Sequence, residues 1–426
     1  MSQPAGQPLG LWKILRGSLH LFTGHVLRLL VQSAYFVVIT RGLGAEEYGR
    51  YTGIQALLLG LVAFSSLGYQ VLALRAVARD PEQRAALWSG GLRVIVVVGG
   101  SLTLLTTLFA PAVLSVPFPR LPLFLFAVSE LLLYGTLMLV SGIMQGMERL
   151  DRMATIEVSL AVTRLLAVGG VWLAGGLTLE RFATAHAAGS MACLVVVLAL
   201  FGRGWAWPLP SVSWPDIRGN LRDGFYISLS ASGRSFLVGI DKMVLPALAG
   251  LAIAGQYAAG FRVFAFAMLP IQAFMAALYP RFFQQGEDSL HGSISIWRRT
   301  APVSLLYAVP VSVVLFLAAP LLGPVLGAEY PEAPTVLRHL VWLLVLQALY
   351  LPLGDALAGA DRFGYRSVSI LISVAVTWGL TLLLIPRFGW RGAVMAVYAS
   401  QGLLLLLYLW GARDGLRGRA GTRSDG

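Results

Sequence analysis

Apolar residues in this 426-residue chain come in about twelve blocks, each of roughly twenty residues with few charges, and nothing else limits its fold as much. At 1.5 Å per residue such a block crosses about 30 Å of hydrocarbon as a helix. The expected spans are residues 18–40, 51–74, 87–110, 121–145, 153–175 and 182–201, then 224–246, 252–280, 300–322, 333–357, 367–385 and 391–411. Only 12% of the residues are charged against 57% apolar, about half the charged share a water-facing domain needs. The fold class is therefore an all-α polytopic membrane protein.

Orientation follows from the basic residues. With the N-terminus in the cytoplasm, cytoplasmic segments hold 19 of the 32 Lys and Arg, so both termini are expected inside. The net charge of +12 is then explained by basic loops facing an anionic leaflet, and a nucleic-acid partner is not expected. The first block is too long for a signal h-region and is expected to stay in the mature protein. The single cysteine, Cys193, has no partner in the chain, which excludes an internal disulfide and a cysteine metal site.

The halves carry traces of a parallel duplication. A shift of 206 residues places Arg16 on Arg222, Arg28 on Arg234, Gly44 on Gly250, Gly49 on Gly255, Tyr51 on Tyr257 and Arg75 on Arg281. A shift of 210 pairs Arg181 with Arg391, Ser190 with Ser400 and Arg203 with Arg413. The alternative is chance similarity between helices of one composition. The expected domains are a six-helix lobe at 1–201, a cytoplasmic linker at 202–223 rich in Trp and Pro, a second lobe at 224–411 and a polar tail at 412–426.

Ionisable residues at membrane depth are the candidate functional groups, since each costs about 2.5–3.5 kcal/mol at a helix centre. Arg28 and Arg234 each stand twelve residues beyond another arginine, roughly 18 Å along the helix and near mid-membrane. A water-filled cavity holding an anion would compensate both. On the first span His25, Arg28, Gln32 and Tyr35 form a polar stripe at helical spacing; on the seventh Tyr226, Ser230, Arg234 and Asp241 do the same. Arg262 is a further candidate for lining that cavity. The alternative is that each arginine pairs with a carboxylate or carbonyl and fixes packing. Glu130 and Arg164, on neighbouring spans at similar depth, are expected to form a buried ion pair, and Glu157, near a span end, carries little information. The remaining histidines, His186 among them, lack metal-ligand spacing. No Walker or dinucleotide motif occurs, so no cofactor is expected. The segment GADRFGYR at 359–366 is similar to a loop motif of major-facilitator transporters but lacks its leading glycine, and reads as an ordinary basic turn.

RGLGAEEYGRYTG at 41–53, LGYQVLALRAVARD at 67–80, GIDKMVLPALAGLAIAGQYAAGFRV at 239–263, LGPVLGAEYPEAPTVLR at 322–338 and IPRFGWRGAVMAVYAS at 385–400 together resemble the bacterial polysaccharide flippases of the multidrug, oligosaccharidyl-lipid and polysaccharide exporter (MOP) superfamily. The resemblance implies two six-helix repeats around a central cavity, lined by the first and seventh spans, as in MATE-like transporters. It also implies alternating access, no enzymatic activity, and transfer of undecaprenyl-pyrophosphate-linked oligosaccharide across the bacterial cytoplasmic membrane. Expected partners are that lipid-linked oligosaccharide, membrane lipids and other polysaccharide assembly proteins. Lipid II flippases usually have fourteen spans, so a peptidoglycan precursor is the less expected cargo. Two rivals stay open: an exporter of organic cations, which wants an acidic or aromatic cavity, and a membrane polymerase or ligase, which wants a large outer loop.

Overall fold

The computed structural model describes residues 11–202, 214–286 and 290–416, with side chains given for 27–149, 151–202, 221–229, 231–275, 278, 282 and 290–413. Among the described residues every regular element is helical, the outcome that long apolar runs dictate where backbone groups must be satisfied within each segment. The elements are α1 (Leu11–Ser65), α2 (Tyr69–Arg79), α3 (Pro81–Leu114), α4 (Arg120–Gly146), α5 (Leu150–Leu173) and α6 (Leu179–Phe201), then α7 (Trp214–Ala249), α8 (Leu251–Gly286), α9 (Leu290–Leu326), α10 (Ala333–Gly359), α11 (Phe363–Phe388) and α12 (Trp390–Leu416).

Nine expected spans fall on helices long and apolar enough to cross a membrane among the described residues. The first two share α1, whose backbone breaks at Gly44 (φ 73°, ψ 175°), a conformation that favours glycine. Beyond Ser65 the chain turns by 41° into α2. The seventh span lies within α7. That helix already begins at Trp214, so the expected linker is in part helical; residues 203–213 and the tail from 417 lie outside the described residues. The eighth runs through Pro270 as one 36-residue helix.

The chain forms two compact units: residues 1–42, 61–109 and 119–229, and residues 43–60, 110–118 and 230–426. The core of the first is built on Tyr69, Trp88, Leu137, Ile143 and Met144; that of the second on Leu353, Leu357, Leu404 and Tyr408. On α11, Ser369, Ser373, Thr377 and Thr381 repeat every four residues, all buried. Ser369, Ser373 and Thr377 return their hydroxyls to the carbonyl one turn back, so small polar residues form a packing stripe at no hydrogen-bonding cost.

In the second unit the residues matched by the 206-residue shift share conformation and environment. Gly44 and Gly250 both have positive φ, 73° and 95°, and Tyr51 and Tyr257 are both buried. Gly49 and Gly255 touch: a Cβ on Gly49 would lie 1.9 Å from the Leu251 carbonyl, and one on Gly255 1.9 Å from the Ala45 carbonyl.

Candidate functional site

In the first unit, four helices bring their polar residues to one buried network. The Glu130 carboxylate receives Arg164 Nη2 at 3.0 Å and His186 Nε2 at 2.9 Å. His186 Nδ1 is 2.6 Å from the Tyr35 hydroxyl. Arg164 Nε donates to Ser190 Oγ at 2.8 Å and Nη2 to Ser129 Oγ at 3.2 Å, and the two hydroxyls are 2.8 Å apart. A neutral imidazole with its proton on Nε2 satisfies both neighbours, donating to Glu130 and accepting from Tyr35. Phe126 and Phe182 pack edge-on against the same ring. Two local features allow the cluster. Glu130 sits in a π-helical turn, Val128–Tyr134, which re-aims a side chain relative to regular α-helix. Gly189 lets α6 approach α5, since a Cβ there would be 2.8 Å from the Thr163 carbonyl.

The expected Glu130–Arg164 pair is thus present, and His186 is a satisfied histidine. Polar stripe residue Tyr35 belongs to this network. Gln32 is half-buried and makes no side-chain hydrogen bond among the described residues; the side chain of His25 lies outside them. Arg28 pairs with the Glu157 carboxylate, the two side chains 35% and 23% exposed. Glu157, which its position in the sequence made uninformative, is the counter-ion of a leading candidate.

In the second unit Asp241 is buried, with Oδ1 accepting from Lys242 Nζ at 2.9 Å and Oδ2 from the Tyr257 hydroxyl at 2.5 Å. The Lys242 ammonium also stands 3.4 Å from the centre of the Phe261 ring, a cation–π contact. Lys242 escaped the reading of span cations, although its place beside an aspartate in an apolar run was a usable signal. Asp241 is therefore committed to internal partners.

Arg234 is different. It is exposed, and among the described residues it has no carboxylate within ion-pair distance. It is close enough to act electrostatically on Tyr350, Asp355 and Tyr408. Tyr226, on the same helix, is 60% exposed; the side chain of Ser230 lies outside the described residues. Arg262 is half-buried, 5.1 Å from the centre of the Phe266 ring, within electrostatic reach of Tyr48, and likewise has no ion pair among the described residues. An exposed guanidinium inside a span cannot rest against hydrocarbon without water or an anion beside it.

Several motif residues are structural. Glu329 Oε2 accepts the Ala45 backbone N–H at 3.1 Å, capping the helix that restarts after Gly44, and Tyr330 packs edge-on against Tyr48. Glu332 accepts the Trp390 indole N–H, beside a cavity of about 350 Å³ lined by Glu332, Thr335, Phe388, Trp390 and Arg391. No group of His, Cys, Asp and Glu suited to a metal ion occurs among the described residues.

Comparison with known proteins agrees with this architecture. The polysaccharide biosynthesis protein family matches residues 14–285. The probable low-salt glycan biosynthesis flippase Agl15 of Haloferax volcanii is 24% identical over 401 residues, covering 93% of this chain and 82% of its own. Among solved structures, a multidrug resistance MATE family transporter of the MOP superfamily in its inward-facing conformation superposes with a TM-score of 0.76 at 16% identity, covering 92% of this chain and 96% of that one. A MOP superfamily transporter from Pyrococcus furiosus, described by the reverse polarity of its binding pocket, gives a TM-score of 0.63 at 15% identity, with 95% of each chain covered. The chain belongs to the polysaccharide biosynthesis protein family and has the fold of these MOP superfamily transporters.

Proposed function

We propose that the protein is a flippase that carries undecaprenyl-pyrophosphate-linked oligosaccharide from the inner to the outer leaflet of the bacterial cytoplasmic membrane by alternating access, with both termini in the cytoplasm. Arg234 carries this reading: an exposed cation within a span and without a carboxylate among the described residues is what an anionic head group requires. Arg262 adds a second positive charge in the same unit. Arg28 and its stripe are the matching element of the first unit, with Glu157 holding the arginine when no anion is bound. The Haloferax relative, by its name a glycan biosynthesis flippase, supports a glycan as cargo.

The physics of the task agrees. Sugar hydroxyls and a pyrophosphate cannot enter hydrocarbon unassisted, because unpaired polar groups cost several kcal/mol each there and isolated charges far more. A cationic surface shelters the head group while the lipid tail stays in the bilayer. Deleting the protein should make a lipid-linked oligosaccharide accumulate on the cytoplasmic leaflet, where mass spectrometry identifies it; a deletion strain with unchanged lipid-linked sugars would refute the reading. The orientation has its own check. Cysteine placed at Ser211 should resist impermeant thiol reagents added to intact cells, and labelling from outside would reverse the topology.

A further inference from the structure

Two sequence motifs that the transport reading leaves unused, EYPEAPTVLR at 329–338 and IPRFGWRG at 385–392, meet in the second unit around the cavity of about 350 Å³. Gly389 alone joins α11 to α12, at φ 57° and ψ −136°, a conformation open to glycine. The reversal sets Phe388 and Trp390 on one cavity wall. Trp390 is buried, its indole N–H committed to a Glu332 carboxylate oxygen and its ring met edge-on by His339, centroids 5.3 Å apart. Glu332 is itself fixed by its backbone N–H, which donates to Gln256 Oε1 at 2.5 Å. The wall is therefore held from behind, while its polar groups stay available. Among the described residues the second Glu332 oxygen and the Thr335 hydroxyl have no hydrogen-bond partner. The Arg391 guanidinium has no ion pair there and meets only the Trp390 ring, 5.5 Å from its centre. Phe388 is 49% exposed.

We infer that this cavity is a sugar-binding subsite that takes one neutral ring of the glycan on the outer side of the membrane. A carboxylate and a guanidinium line the same space without pairing with each other. An anion there would be repelled by Glu332 and a cation by Arg391. A neutral ring suits both, because each of its hydroxyls donates and accepts: it donates to the carboxylate, accepts from the guanidinium and does either with Thr335. The two aromatic residues offer faces to the C–H side of the ring. The volume lies at the low end of ligand pockets, about 300–1,000 Å³, which suits one ring and not a chain. Trp and Arg also anchor helices at membrane interfaces, but an anchoring indole turns its N–H to water or head groups, whereas that of Trp390 is spent on Glu332. With the termini in the cytoplasm, the connections between the ninth and tenth and between the eleventh and twelfth spans both lie outside. The subsite is then on the side where cargo leaves. Its role in transport rests on the flippase reading; the binding itself does not.

The test is saturation-transfer NMR on the full chain in nanodiscs, a method suited to weak ligands of a large particle. The probes are glucose, galactose, mannose, rhamnose, N-acetylglucosamine and N-acetylgalactosamine, with glucuronate as the anionic comparison. At least one neutral sugar should receive saturation and outcompete glucuronate. Arg391→Gln should weaken that sugar about tenfold, the size of one charge-assisted hydrogen bond, and should fold because Arg391 is exposed. Glu332→Gln should weaken it by a similar factor while its amide carbonyl still accepts the Trp390 N–H, so the wall stays in place. Saturation of none of the neutral sugars would overturn the subsite, as would wild-type affinity in both variants, which would put the sugar elsewhere. Glucuronate binding more tightly than every neutral sugar, or a Glu332→Gln protein that binds more tightly than wild type, would make the cavity an anion site and overturn the inference too. Each of these results leaves the flippase reading to the deletion strain. Neutral sugar lost from both variants, beside a deletion strain with unchanged lipid-linked sugars, would keep the subsite and remove the flippase.

Discussion

Arg234→Gln should reach the membrane at the wild-type level and lose most export, about 10- to 100-fold, with lipid-linked oligosaccharide building up inside. The size follows from one charge-assisted contact worth about 1.5–3 kcal/mol, at 1.4 kcal/mol per tenfold. Protein level should hold because Arg234 is exposed and, among the described residues, leaves no carboxylate stranded. Arg234→Lys should keep part of the activity, since an ammonium neutralises phosphate but loses the fork. Arg28→Gln should behave differently although the 206-residue shift matches the two arginines in sequence. Its removal orphans Glu157, which costs about 1–2 kcal/mol, less than the figure for fully buried pairs because both side chains retain exposure. Arg28→Gln should therefore lower the amount of protein, and adding Glu157→Gln should restore it. Export measured against protein level separates the two sites. Wild-type export from Arg234→Gln would end its role as an anion site.

That asymmetry marks what a sequence can and cannot convey. Span positions, helical class and the duplication were readable because they depend on run length and on glycines such as Gly44 and Gly250, whose matched positive φ is a local requirement. The Glu130–Arg164 pair was readable because depth along adjacent spans can be counted. Its enlargement by Tyr35 and His186 was not, because it depends on how α1 and α6 cross α4, and on a π-helical turn at Glu130 that no residue pattern announces. For the same reason Glu157 gave no sign of reaching Arg28, and Asp241, placed with a ligand by its helical spacing, turned out to hold its sequence neighbour Lys242 and Tyr257. Periodicity finds a polar face. Which polar residues on it are already spoken for is decided by neighbouring helices.

Gly255→Ala and Gly49→Ala should each deplete the folded protein far more than any surface change. Both residues lie in the second unit where α1 and α8 meet backbone to backbone: the Cβ added at either would stand 1.9 Å from a carbonyl oxygen of the other helix. No rotamer relieves that clash, because the obstacle is main chain and the offending atom is the first of the side chain. The helices must separate by more than 1 Å, which sacrifices the close contacts that small residues provide between membrane helices. Overpacking usually costs about 1–3 kcal/mol. A backbone obstacle pushes each variant to the upper end of that range, about 3 kcal/mol, among the larger effects seen for single substitutions. Since both changes wedge the same crossing, the double variant should cost less than the two added together. Gly379→Ala is the control. It lies within α11 with nothing inside 4 Å of a new Cβ, so it should be neutral or gain up to about 1 kcal/mol from the better helix former. Thermal unfolding followed by detergent-solubilised size-exclusion recovery reads all four proteins. A Gly255→Ala protein as stable as the Gly379→Ala control would mean that the α1–α8 crossing is not the close contact described.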